Sequence, residues 1–169
     1  ESLMDYGASS PPYINSLFTG TNLVYYWSNT VYAPDDSSAW SVSFNNGCSN
    51  DYDRGNSLYV RCVRGATLDA GSFTTTDAGV TVTDSTTGLV WQKADEGIKS
   101  WTEALSSCED LSLAGQSDWR LPSVRELWSI VDLTESSGPL IDSAFTAQSS
   151  NYWSSTTYRI DINNAWYVS

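Results

Sequence analysis

Asp118-Trp119-Arg120-Leu121-Pro122-Ser123-Val124-Arg125-Glu126-Leu127 is the stretch from which the rest of the chain can be placed. It reads as the entrance of a helix. Ser123 and Glu126 have the spacing of a capping box: the Ser123 hydroxyl accepts from the Glu126 N–H, and the Glu126 carboxylate reaches back to the Ser123 N–H. Pro122, just outside, fixes the approach of the chain. Val124, Leu127, Trp128 and Val131 then recur at helical period as one apolar stripe. Ahead of the cap, Trp119 can close over a core, and the Arg120 guanidinium can bridge backbone carbonyls or a carboxylate. Trp119, Arg120, Pro122, Ser123 and Glu126 therefore read as scaffold.

Working outward, Ser100-Trp101-Thr102-Glu103 is a second capping box. Trp101, Ala104, Leu105, Cys108 and Leu111 form the stripe of a first helix, which Ala114-Gly115 is expected to end. Before it, Thr81-Val82-Thr83 and Leu89-Val90-Trp91 read as two strands of a hairpin around an Asp84-Ser85-Thr86-Thr87-Gly88 turn. After the second helix, Tyr152–Thr156 and Ala165–Val168 are the best strands. Leu58–Val63 alternates as a strand with one buried face would. The elements sum to an α+β fold, two helices packed on short antiparallel strands with many loops.

The charge excludes several functions. Twenty Asp and Glu against eight Lys and Arg give −12, so a polyanion finds no basic footprint. That argues against nucleic acid, sulfated glycans and anionic lipid alike. No run approaches the length of a membrane-spanning helix, so no membrane insertion is expected. The chain has no histidine, which removes Ser-His-Asp and Cys-His catalysis and most zinc sites. Glu103, Glu109, Asp110 and Glu126 read as capping or solvated residues with no nucleophile or base around them, and the expectation is that the protein is not an enzyme. Cys48, Cys62 and Cys108 are too far apart for C-x-x-C chemistry. Scarce Lys, abundant Ser and Thr and dense aromatics fit an exported protein whose cysteines can oxidise. The eight Trp and ten Tyr are of the kind that fills cores, stacks on sugars or anchors protein interfaces.

A repeat changes the reading of the whole. Pro12-Tyr13-Ile14-Asn15-Ser16-Leu17-Phe18-Thr19 matches Pro139-Leu140-Ile141-Asp142-Ser143-Ala144-Phe145-Thr146 at an offset of 127 residues, as Ser2-Leu3-Met4-Asp5 matches Ser129-Ile130-Val131-Asp132. The offset then becomes 126: Tyr26-Trp27-Ser28 matches Tyr152-Trp153-Ser154, and Ala39-Trp40-Ser41-Val42-Ser43 matches Ala165-Trp166-Tyr167-Val168-Ser169. Residues 1–65 thus read as the C-terminal half of a first unit. Residues 66–169 read as the N-terminal part of a second, lacking the closing strands that residues 44–65 supply to the first. The expectation is a chain cut inside a unit at both ends, with a short polar linker, Gly65–Gly71, holding the copies close.

Two equivalent loops are the candidate ligand sites. Tyr32, Asp35 and Asp36 in one, and Tyr158, Asp161 and Asn163 in the other, set an aromatic beside carboxylate or amide oxygens. Sugar stacking is the chemistry such loops offer, and calcium is the cation they would take, although the spacing follows no recognised calcium motif. Asp77, Asp84 and Thr86 around the hairpin offer a further set of cation-binding oxygens. No other cofactor is expected.

Thr87-Gly88-Leu89-Val90-Trp91-Gln92, Trp101–Cys108, Asp118–Leu127, Tyr152–Thr156, Ala165-Trp166 and Val60–Gly65 together resemble the Lcl C-terminal domain family, named for a bacterial collagen-like adhesin. The resemblance covers nearly the whole chain in two incomplete copies. It implies a bacterial, secreted or surface-associated module of C-type-lectin-like fold. Arg120-Leu121-Pro122 also resembles the corresponding element of formylglycine-generating enzymes, whose oxidase chemistry needs a close cysteine pair that this sequence lacks. The adhesin's binding of glycosaminoglycans does not follow at −12. In the family a first-helix cysteine and a closing-strand cysteine pair, which implies Cys108 and Cys62, each with a counterpart in a neighbouring copy or in a part of the unit outside this chain. Cys48 is left free, intermolecular, or as another mate for Cys62. The functional expectation is a structural one: a filament or tandem array of copies, head-to-tail or interlocked, that serves adhesion. The alternative is a lectin-like module binding neutral glycans or a host or cell-surface protein.

Overall fold

The computed structural model describes residues 3–65 and 71–169. Most of the linker read at residues 65–71, and the first residue of the Ser2–Asp5 match, lie outside the described residues. The fold is α+β, with two helices and small antiparallel sheets. The chain forms two compact units, the first comprising Glu1–Thr67, Leu133–Ser137 and Thr157–Asn164, the second Leu68–Asp132, Gly138–Thr156 and Ala165–Ser169.

In the first unit, β1 (Tyr25–Val31), β2 (Ser38–Ser43) and β3 (Ser49–Asp53) form an antiparallel sheet in that order. β3 lies on β2 in continuous register, Ala39 opposite Tyr52, Trp40 opposite Asp51 and Ser41 opposite Asn50. Small serines fill the centre of β2, where Ser41 is fully buried and donates to the Asn50 carbonyl at 2.8 Å. Aromatics close the sheet around them: Tyr26 meets Phe44 edge-on at 5.2 Å, and Tyr25 meets Tyr52 at 5.1 Å. Beneath, Met4 and Ile14 bridge antiparallel, and Met4, Tyr6, Tyr13 and Ile14 are all buried. Burial of such side chains contributes roughly 1.5–3 kcal/mol each.

Leu58–Val63 does not form the expected strand. Only Tyr59 bridges, in parallel to Tyr26, while Val60 and Val63 are 66% and 96% exposed. A period-2 pattern makes a strand only where a neighbour supplies a ladder, and here none extends past Tyr59. What pins the segment instead is Arg61, whose guanidinium lies over Phe18 at 5.3 Å and Tyr26 at 5.9 Å and donates to Thr21 Oγ1 at 3.0 Å.

In the second unit, β4 (Phe73–Thr76), β5 (Thr81–Asp84) and β6 (Val90–Gln92) make an antiparallel sheet, the hairpin of the sequence reading with an added strand. Gly88 turns it with φ +75°, a conformation that strains residues bearing a Cβ. Helix α1 (Trp101–Glu109) starts on its capping box, with Ser100 N donating to Glu103 Oε2 at 2.8 Å. It ends earlier than expected. Asp110 caps it, and Leu113 and Gln116 exchange two 3.0 Å backbone bonds across a tight turn whose central residues, Ala114 and Gly115, both have positive φ. Leu111 therefore lies past the helix, and Ala104 is its one buried residue.

Helix α2 (Val124–Ser129) is likewise short and buries Val124 and Leu127. The stripe predicted through Trp128 and Val131 is cut: Trp128 is half-buried, and Val131 lies beyond the helix, bridged to Ile141. β7 (Tyr152–Thr157) and β8 (Ala165–Val168) form a two-stranded sheet, and α2 packs against β8.

Candidate assembly edges and ligand loops

The two copies of the repeat make the same bonds. Ser28 Oγ donates to the Trp40 carbonyl, and Ser154 Oγ to the Trp166 carbonyl, both at 2.8 Å. Thr30 N and Thr156 N donate to those serine oxygens, both at 3.2 Å. The Tyr26 hydroxyl accepts from Asn22 N at 2.9 Å and the Tyr152 hydroxyl from Gln148 N at 2.8 Å. Asp5 N donates to the Tyr13 carbonyl and Asp132 N to the Leu140 carbonyl, and a cis proline follows at both Pro11-Pro12 and Gly138-Pro139.

What flanks this shared framework differs. On the β7 copy stands the helical half: Trp101 Nε1 donates to the Ser154 carbonyl at 2.7 Å, Ser155 N to the Pro122 carbonyl at 2.8 Å, and Val124 N to Thr156 Oγ1 at 3.0 Å. Ser28, Asn29 and Thr30 have no such half beside them among the described residues. On the β1–β2 copy stands the closing segment instead, one strand and a single bridge. β3 covers the outer edge of β2, and at the outer edge of β1 Trp27 N donates to the Tyr59 carbonyl at 2.9 Å. Among the described residues no strand flanks the corresponding edges of β7 and β8.

The helix-entrance motif is scaffold in its geometry. Arg120 holds Glu126 bidentately, at 2.8 and 2.6 Å, and Glu126 Oε2 also takes the Ser123 N–H at 2.7 Å while Ser123 Oγ accepts from Glu126 N at 3.3 Å. The guanidinium bridges a carboxylate, one of the two options open in the sequence. Those bonds lower the Glu126 carboxyl to about 2, Arg120 being the largest cause. Trp119 donates to the Leu113 carbonyl at 3.4 Å.

The two ligand loops are built alike and turn their oxygens on themselves. Asp35 Oδ1 accepts from Ser37 N at 3.0 Å and Ser37 Oγ at 2.8 Å, bonds that hold its carboxyl below the usual range. Asp161 Oδ1 accepts from Asn163 N at 3.0 Å and Nδ2 at 2.9 Å, and its Oδ2 takes Asn164 Nδ2 at 2.9 Å. The Asp36 carbonyl accepts from Arg54. Tyr32 stands edge-on to Trp40 at 5.3 Å, and the Tyr158 hydroxyl meets the Tyr13 hydroxyl at 3.2 Å. Burial, with that bond second, pushes Tyr13 up to about 12.

Asp84 behaves similarly. Fully buried, it is pushed up by burial, but bonds from Thr87 Oγ1 at 2.6 Å and Thr86 N at 2.8 Å outweigh this and leave it lowered. Asp77 Oδ2 takes the Thr81 hydroxyl at 2.6 Å. No group of three or more His, Cys, Asp or Glu gathers as a metal site among the described residues.

All three candidate cysteines are unbridged in this structure, Cys48 and Cys62 exposed and Cys108 half-buried. Burial, then Glu96, pushes the Cys108 thiol up. No helix among the described residues is long and apolar enough to cross a membrane. The sequence reading missed β3 and β4, whose Ser49–Asp53 and Phe73–Thr76 lack strict alternation. It also missed the Tyr26 and Tyr152 hydroxyl caps, which the repeat offset could have revealed.

No curated protein and no solved structure matches the chain. The family model of the Lcl C-terminal domain matches it over residues 1–64 and again over 80–169, as two incomplete copies would, and the chain belongs to that family.

Proposed function

We propose that this protein is a non-enzymatic, extracellular bacterial surface protein, a C-type-lectin-like repeat module that assembles into a filament or tandem array and serves adhesion. One observation carries the reading: the chain holds the same bonded framework twice, as tandem repeats do. Repeat units bury their faces against neighbouring units, so copies in tandem are expected to touch. In an exported filament the thiols of Cys62 and Cys108 would be available for bridges between copies.

Glycan binding at the Tyr32 and Tyr158 loops is the weaker reading, because the loop oxygens are engaged within their own turns. Sedimentation velocity across a concentration series, with electron microscopy of the same samples, tests the assembly. Regular fibres or a concentration-dependent series of oligomers is the expected result; a monomer at every concentration refutes it. At −12 the copies repel, so added salt should promote association.

A further inference from the structure

We propose that the loop Tyr158–Asn164 of the second copy is a protein-binding element whose ligand is the Asp5–Tyr13 turn of the copy before it, so that it joins one repeat to the preceding one. This joint deepens the assembly reading and rests on its tandem part, that neighbouring copies touch. The strands on either side of the loop, β7 as far as Thr156 and β8 from Ala165, belong to the second compact unit, whereas Thr157–Asn164 belongs to the first, together with the turn it meets. Two bonds make the contact. The Tyr158 hydroxyl meets the Tyr13 hydroxyl at 3.2 Å, and Arg159 Nη1 donates to the Gly7 carbonyl at 2.8 Å.

The receiving side is held in shape by its own bonds. Gly7 N donates to the Asp5 carboxylate at 3.0 Å, Ala8 N to the Asp5 carbonyl at 3.2 Å, and Asp5 N to the Tyr13 carbonyl at 3.0 Å. Tyr13 is 3% exposed, and its N–H is bonded to the Phe44 carbonyl, so the hydroxyl is presented from a fixed, buried ring. A receptor that needs no reordering loses little entropy when its ligand arrives. The two copies then differ where this contact requires it. Both loops close the same turn, Tyr32 N to the Ser38 carbonyl at 3.0 Å and Tyr158 N to the Asn164 carbonyl at 2.8 Å. Arg159, however, stands where the first copy has Ala33, and Tyr13 stands where the second has Leu140. These two departures from the repeat lie on opposite sides of one contact, as in a fitted pair, and each supplies a group that its counterpart lacks. Arg159 is also one of only eight cations in a chain of −12, and its charge strengthens the bond to a neutral carbonyl. The polar tip of Tyr158 is thus turned to protein, which makes a neighbouring copy the ligand of this loop in place of a sugar.

To test the joint, a specific protease site is inserted between Gly65 and Ala66 of the full chain, and the folded protein is cut there. Gel filtration across a dilution series should find the two pieces held together, and Y158F with R159A should raise their dissociation constant at least about tenfold. R159K, which keeps a charged donor, should recover part of that loss, and Y32F, the matched change in the other loop, should have no effect. Pieces that part at once in the unaltered sequence, or a double variant that holds as tightly as the unaltered chain, overturn the proposal. In the uncut chain, Y158F with R159A should speed amide exchange at Gly7 and Ala8 several-fold and leave β1 and β2 unchanged. No change at Gly7 and Ala8 counts against the joint, and equal speeding in β1 and β2 would make the pair general scaffold and overturn it too. A cut chain that stays together without ever forming oligomers refutes the assembly reading and leaves the joint standing; oligomers of a chain whose pieces part at once do the reverse.

Discussion

The β1–β2 and β7–β8 pairs are one sequence pattern in two settings. Where closing strands are present, the pattern is sealed: Met4, Tyr6, Tyr13 and Ile14 are buried at 0–6% exposure, and the Phe44 carbonyl takes the Tyr13 N–H at 2.7 Å. Where they are absent, the counterparts Val131, Leu133, Leu140 and Ile141 are only half-buried. The local bonds are the same in both, so they do not cause the difference. Local hydrogen bonds and turn chemistry are enough to build the framework, and the seal comes from chain far away in sequence.

The largest effect should come from truncating matched core positions. Met4→Ala empties a fully buried site and should cost about 2–5 kcal/mol, against about 1 kcal/mol for Val131→Ala at its half-buried counterpart. Urea unfolding of each variant checks the ratio. Equal costs would mean that the second copy is sealed in solution, either within the chain or by another. Next in size are the matched serines. Ser154 is fully buried and Ser28 partly exposed, yet each spans the same two backbone groups. Ser154→Ala should cost about 1–3 kcal/mol by removing the buried bonds to the Trp166 carbonyl and the Thr156 N–H, while Ser28→Ala, with water at hand, should cost less. A reversed order would mean that the helical residues around Ser154 do not keep water from its bonds.

How far the sequence could be read follows from the same division. Both capping boxes, the β5–β6 hairpin, β7, β8 and the repeat were legible, because each is written in neighbouring residues whose spacing fixes the bonds. Helix ends were not: the stripe through Leu111 and Val131 continues past the point where Asp110 and Ile130 cap the helices. The Leu58–Val63 pattern promised a strand that no neighbour supports past Tyr59. β3 was invisible, as Ser49-Asn50-Asp51-Tyr52-Asp53 earns its place only through the edge of β2. The Tyr32–Asp36 and Tyr158–Asn163 segments lie in turns between strands, and the Asp35 and Asp161 oxygens serve those turns, which depends on rotamers that the sequence does not specify.

Acid should unfold the helical half first. Glu126 titrates at about 2 in the folded chain, against an ordinary value near 4.5, because Arg120 and the Ser123 N–H hold its charged form. A depressed folded value means the stabilisation is fully present above the unfolded pKa and is lost as pH falls from about 4.5 toward 2. Arg120 is 58% exposed, so solvent screening keeps the contribution to about 1–2 kcal/mol. Glu126→Gln should flatten that part of the stability-against-pH curve, read from urea midpoints at successive pH values. An unchanged slope would place the acid sensitivity elsewhere.

The smallest effect, and the one that bears on the ligand loops, is the pair Asp35→Ala and Asp161→Ala. Each removes a carboxylate that closes its own exposed turn, so both variants should show small and matching falls in Tm. Calcium discriminates the roles. If the carboxylates act only within the turns, millimolar calcium leaves the Tm of the unaltered chain and of both variants unchanged, because the ion would have to displace hydrogen bonds already made to the same oxygens. A calcium-dependent rise in Tm, lost in one variant and kept in the other, would show that the two loops are not equivalent and that one copy carries a ligand site the other lacks.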